Sequence, residues 1–238
     1  MITDIILRRD EILQKIEKAG IEKSNLLAVL LFGSHYWGYD RPESDIDLHI
    51  LLKSDNSSNT LNSPNPSFPK RGILRVPDFE NLSLHYQETL EQTNEKIENG
   101  AWSTYYCINY ASYLVYGERP KTSDFKKETF VNSLKKWEKT EWPEFSWKPR
   151  KWCFQALMKR IYFLNYFNNN VKTFKITDFQ NCSQLTQDEI KFLEDQYVKI
   201  FKHSMENDIE RDTIVELIRR VEEIIKKDLS SISAQDDK

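Results

Sequence analysis

The chain has 238 residues, 39% of them hydrophobic and 30% charged, with a formal net charge of −3. That is enough apolar material for one large or two small cored domains, without the cationic excess a nucleic-acid-coating protein relies on. The longest apolar runs fall short of the ~18 residues a membrane span needs, and the first residues lack the cationic and then apolar order of a secretory leader. Three scattered cysteines, Cys107, Cys153 and Cys182, form neither a disulfide framework nor a zinc-type pair. A soluble cytoplasmic protein is expected, with no membrane partner and with nucleic acid disfavoured as a ligand.

In chain order, Asp4–Ala19 carries Ile5, Ile6, Ile12, Leu13 and Ile16 at helical spacing, and Gly20 stands where a C-cap glycine belongs. Asn25–Phe32 is a continuous apolar run closed by Gly33, short enough for a buried strand. Asp45–Leu52 alternates at first and then turns wholly apolar, which predicts a second strand with a wet start. The Ser-, Asn- and Pro-rich stretch at about 53–71 reads as a mobile loop. Ile73–Val76 and Leu82–Tyr86 are two further short strands.

From Glu88 onward the strand signals end. Glu88–Glu98 and Ser103–Tyr116 read as helices closed by Gly100 and Gly117, and a hinge at Glu118–Lys121 separates two domains. Helices are predicted at Ser123–Lys139, Arg150–Phe167, Thr186–Ser204 and Asp208–Lys227. Thr186 and Glu189 have the spacing of a capping box. Residues 230–238 form a small, polar, frayed tail.

The fold class expected is therefore α+β: a small mixed-sheet lobe over residues 1–120, then an all-helical domain over 121–229. Charge divides along the same line. Residues 1–120 hold 12 Lys/Arg against 17 Asp/Glu, and residues 121–238 hold 22 against 20.

The chemistry-bearing stretch is Leu31-Phe32-Gly33-Ser34, a ten-residue spacer, and then Asp45-Ile46-Asp47-Leu48. On a strand, i and i+2 share a face, so Asp45 and Asp47 stand side by side while Ile46 and Leu48 face the core. Two carboxylates so close repel unless a cation lies between them. Mg²⁺ suits such a pair, completing its shell with water and substrate phosphates. Gly33 lets the backbone turn and approach a ligand. Ser34, with the free N–H groups that follow it, makes a small anion site.

At these residues the sequence resembles the polymerase-beta-like nucleotidyltransferase superfamily, whose signature is a hydrophobic strand, Gly-Ser, a spacer and Asp-x-Asp on the next strand. It looks most like the minimal and aminoglycoside-adenylyltransferase-like groups, which pair such a lobe with a helical bundle. The resemblance implies transfer of a nucleoside monophosphate, AMP from ATP, to a hydroxyl of a small molecule such as an aminoglycoside or of a protein. It also implies Mg²⁺, as two ions, held by Asp45 and Asp47, with Gly33 and Ser34 on the triphosphate. Lys175 falls near the place of a phosphate-contacting lysine in the helical domain of the aminoglycoside group.

The superfamily draws a third carboxylate from a later strand, and the matching segment here is Glu80–Tyr86. Its slots between apolar residues hold Ser83 and His85, neither of them acidic. Three readings stand open. His85 acts as the base; Glu80 swings in after a register shift; or the third group is lost, leaving a catalytically weak or inactive nucleotide-binding module.

Other signals are less specific. Trp137, Trp142, Trp147 and Trp152, interleaved with basic residues, read either as a stacking surface or as aromatic packing between lobes. Lys151, Lys159, Arg160 and Lys175 are cations available to a triphosphate. His35 and Trp37-Gly38-Tyr39 lie in the spacer, and His49, two residues past Asp47, reads as a support for the metal or as a partner for Asp47. His203 belongs to no visible constellation.

Overall fold

The computed structural model describes residues 8–37, 45–53, 74–75, 82–130, 133–134, 150–172, 175–202 and 210–233. It is α+β, with an N-terminal sheet lobe and a helical C-terminal part. The chain divides into two compact units, Met1–Lys96 with Thr104–Ser123, and Ile97–Ser103 with Asp124–Lys238.

In the first unit, helix α1 (Arg9–Lys18) buries Ile12, Leu13 and Ile16 on one stripe. It ends at Gly20, whose φ is +88°. Strands β1 (Leu26–Phe32) and β2 (Ile46–Leu52) pair antiparallel, with Phe32 opposite Asp47. Between them lies the short helix α2 (Gly33–Trp37). The sheet order is β3-β4-β2-β1-β5, with β3 at Leu74–Arg75, β4 at Leu82–Thr89 and β5 at Tyr113–Gly117. The β2–β4 pair is parallel and the others antiparallel, so the sheet is mixed.

Both faces of the sheet are covered, which explains the unbroken apolar runs of β1 and β2. Val29, Leu31, Ile46, Leu48 and Ile50 pack with the α1 stripe. On the other face, Ala28, Leu30 and Leu51 pack with Ile108 of helix α4 (Trp102–Asn109). Asp47 and His49, by the pleat, belong to this second face.

Two boundaries differ from the sequence reading. Strand β4 runs on through Glu88 to Thr89, and helix α3 (Leu90–Glu98) starts only then. The start is marked by a reciprocal bond pair: the Thr89 N–H donates to Gln92 Oε1 (3.0 Å), and the Gln92 N–H donates to Thr89 Oγ1 (3.2 Å). The helix expected over Ser103–Tyr116 stops at Asn109, and its last part is strand β5 along the edge of β1. Tyr-Leu-Val-Tyr favours an extended chain, and pairing with it gives the edge of β1 backbone partners that a helix here would not supply. Arg119 secures the turn, donating to the carbonyls of Ile108 and Ser112 and to Ser112 Oγ.

The second unit is helical among the described residues. Helix α5 (Arg150–Asn168) buries Cys153, Phe154, Leu157, Met158, Ile161 and Phe163 and packs on helix α7 (Arg211–Ser233). Trp102 sits at the centre of an aromatic cluster with Phe125, Phe163, Tyr166 and Phe167. Helix α6 (Gln187–Tyr197) opens with the complete Thr186–Glu189 capping box and passes into a π-helical turn, Val198–Lys202. Helix α7 continues to Ser233, into the segment expected to fray.

Arg160 is corrected as a phosphate-binding candidate. It is 1% exposed, its Nε donates to Glu222 Oε1 at 2.7 Å, and its Nη1 donates to the Ala156 carbonyl at 2.8 Å. A cation enclosed and paired in this way holds α5 to α7 and has no reach into solvent. The expected loop at 53–71 (beyond Lys53), Trp137, Trp142, Trp147 and His203 lie outside the described residues. Among the described residues, no helix is long and apolar enough to cross a membrane.

Candidate active site

Gly33 ends β1 with φ +71°, in the left-handed region that glycine enters without steric penalty. Phe32 stands opposite Asp47 across the β1–β2 ladder. The next residue therefore turns over the Asp47 side chain. A Cβ built on Gly33 would lie 2.8 Å from Asp47 Cγ and 3.0 Å from Asp47 Cβ, with the carboxylate oxygen Oδ2 nearer still. Glycine at 33 is what lets the backbone bend rest directly on that carboxylate.

Asp45 is exposed just before β2, and Asp47, its second residue, is half-buried. Ile46 and Leu48 between and beyond them are buried in the α1-facing core. The alternation therefore sets both carboxylates on the face away from α1. Ser34 is half-buried in the first turn of α2, next to Gly33. Gly33 and Asp47 are thus brought together, with Ser34 next to Gly33 in the chain and exposed Asp45 two residues before Asp47.

The α2 turn is fixed to the rest of the unit by Tyr36. Its hydroxyl donates to the Tyr110 carbonyl at 2.8 Å, and its ring packs 5.0 Å from Tyr113 and 4.9 Å from Trp37. His35, also in α2, is buried.

On the other side of β2, Asp47 is opposite Ser83 of β4 in the parallel register. A neutral residue therefore holds the β4 register position paired with Asp47. One step further the register shifts: Leu48 pairs with Leu84 and His49 with Tyr86, so His85 is the residue inserted between them. Lys175 belongs to the second unit, exposed on the turn after α5, where its N–H donates to Asp178 Oδ2 at 2.5 Å.

His49 proves to be the partner of Glu88 and not of the solvent. His49 and Glu88 are 2% and 4% exposed, and Nε2 lies 2.9 Å from Glu88 Oε1. Lys96 of α3 bonds the other oxygen of Glu88. Burial would raise the Glu88 carboxyl, but the hydrogen bonds with His49 and Lys96 outweigh it and hold its pKa below the ordinary value. Read from sequence alone, Glu88 opens a helix, which hides its pairing with His49. The Thr89-x-x-Gln92 box, which starts the helix after it, was the signal that leaves Glu88 in the strand.

The donor set fits a small divalent cation. Two carboxylates at the start of β2, beside a glycine bend followed by a serine, supply the hard oxygen ligands such a cation takes, with water and phosphate oxygens able to complete its shell. Among the described residues no group of three or more His, Cys, Asp or Glu gathers that could hold a metal ion.

Residues 14–70 match the family model described as Polymerase beta, Nucleotidyltransferase. The matched span takes in the second half of α1 and all of β1, α2 and β2, and with them Gly33, Ser34, Asp45 and Asp47. No curated protein matches the chain.

Proposed function

We propose, from a chain that carries a polymerase-beta-like nucleotidyltransferase domain, that it transfers a nucleoside monophosphate, AMP from ATP, to a hydroxyl and releases pyrophosphate. The observation that carries this reading is the Gly33 backbone lying against the Asp47 carboxylate, which joins a phosphate-approach bend to a cation ligand.

In this reading Asp45 and Asp47 hold Mg²⁺, as two ions, which when bound neutralise the polyphosphate and polarise the α-phosphorus. Gly33 and Ser34 receive the triphosphate through backbone N–H groups and the Ser34 hydroxyl. Asp47, backed by β1 and β4, keeps its carboxylate in one place while charge shifts during transfer. The acceptor oxygen bonds to the α-phosphorus in line with the bridging oxygen, whose bond breaks as pyrophosphate departs. The hydroxyl proton needs an acceptor, and His85, on the strand beside β2, is the candidate we assign. The acceptor is a small molecule such as an aminoglycoside, or a protein side chain.

One observation favours a second reading. Ser83, without a carboxyl group, stands opposite Asp47, which suits a module that binds nucleotide and transfers it slowly or not at all. Incubation with α-labelled ATP, Mg²⁺ and a panel of aminoglycosides and proteins separates the two. Label on an acceptor with pyrophosphate release supports transfer; Mg²⁺-dependent binding without release supports the module. The Asp45→Asn/Asp47→Asn double variant should lose Mg²⁺-dependent ATP binding in calorimetry. Unchanged affinity in that variant refutes both.

A further inference from the structure

The β2–β4 ladder is interrupted one residue beyond Asp47, at the step between Leu48 and His49 where His85 is inserted. A one-residue slip in a strand pairing turns every following side chain to the other face. A shift at this step would also change which residue of β4 stands opposite Asp47. Immediately past the interruption a buried side-chain bridge spans the same two strands, His49 Nε2 to Glu88 Oε1 at 2.9 Å. The second oxygen of Glu88 is bonded by Lys96, which ties the bridge to α3. Phe32, the residue opposite Asp47 in β1, packs its ring edge-on to His49 with centroids 6.5 Å apart. Phe32, the neighbour of Asp47 in β1, is therefore in contact with this cluster.

We infer that His49, Glu88 and Lys96 form a register lock, a set of positioning residues that hold β2 against β4 so that the Asp45–Asp47 pair keeps its cation-binding geometry. The inference rests on the cation-site reading of that pair. A backbone discontinuity beside a site that needs its ligands placed to a fraction of an ångström is stable only if something else sets the register. A buried, hydrogen-bonded bridge does so because a slipped pairing would leave the Glu88 carboxylate buried without its partners.

The test is Mn²⁺ binding by the full chain, followed by electron paramagnetic resonance, with the melting temperature of each variant recorded alongside. Glutamine places its amide nitrogen near the position of Nε2 and can still reach Glu88, whereas asparagine is too short. His49→Gln should bind Mn²⁺ within about threefold of wild type, and His49→Asn about tenfold or more weaker, the scale of lost support behind a metal ligand. Equal affinities for the two variants, both at the wild-type value, overturn the lock. If His49→Asn fails to fold, His49→Leu/Glu88→Leu replaces it, since an apolar pair leaves no buried charge unpaired. Retained wild-type affinity in that variant overturns the lock in the same way. Asp47→Asn distinguishes the premise: if wild type and Asp47→Asn bind Mn²⁺ equally, or wild type binds none, the cation site itself is wrong and the lock falls with it.

Discussion

Replacing Gly33 by alanine tests the contact on which the site is built, and Gly20 supplies the control. Both glycines have left-handed backbone, φ +71° and +88°. An added Cβ at Gly20 meets nothing within 4 Å, whereas at Gly33 it meets Asp47 Cγ at 2.8 Å and Cβ at 3.0 Å. Gly20→Ala should therefore cost only the left-handed penalty, about 1–2 kcal/mol. Gly33→Ala carries that penalty and a collision. Rotation of Asp47 can move its carboxylate away, but not its Cβ. Carbon–carbon contacts settle at about 3.5–4.0 Å, so β1 and β2 must part by about 0.5 Å or more at Phe32 and Asp47. Overpacking of this kind adds about 1–3 kcal/mol, giving about 2–5 kcal/mol in all. Urea denaturation at neutral pH measures both variants, and Mn²⁺ titration measures the site. Gly20→Ala should bind Mn²⁺ like wild type, and Gly33→Ala about tenfold or more weaker, because its ligand has been turned aside. A Gly33→Ala protein as stable as Gly20→Ala and with wild-type affinity for Mn²⁺ would refute the claim that the bend rests on Asp47.

Other outcomes follow from single contacts. Thr186→Ala removes the hydroxyl that accepts from the Glu189 N–H and should lower stability by about 1 kcal/mol, seen as a melting temperature about 2–4 °C lower. Arg160→Met strands Glu222, 2% exposed, and should cost about 3–5 kcal/mol in denaturant, while Arg160→Met/Glu222→Leu should recover most of it. Glu88 has a lowered folded-state pKa, so its contribution is present above the ordinary carboxylate range and is lost as pH falls through the folded value. Asp178 is raised by burial and works in the opposite sense. The difference between wild type and Glu88→Gln, followed from pH 7 down to about pH 3 by denaturant midpoint, is therefore the observable, and it should shrink with acidification.

Much of the sheet lobe was legible because its signals are local. A seven-residue apolar strand, Gly-Ser and an acid–apolar–acid alternation need no distant partner to be recognised, and β1, β2 and the Gly33–Asp47 contact fall where those residues put them. The capping box at Thr186 is likewise written within a few residues. Strand β5 was hidden because Tyr113–Gly117 has no pattern that forbids a helix, and the open edge of β1 decides its state.

The sequence by itself determined the chemistry on offer: two acids one residue apart, a glycine and a serine at the end of a buried strand, and helical material after them. Tertiary structure decided what each charged group is for. His49 meets Glu88 across 39 residues and Arg160 meets Glu222 across 62. Neither pairing is encoded in local periodicity. It is burial that forces such groups to find partners, because a charge removed from water without one costs more than the fold can bear.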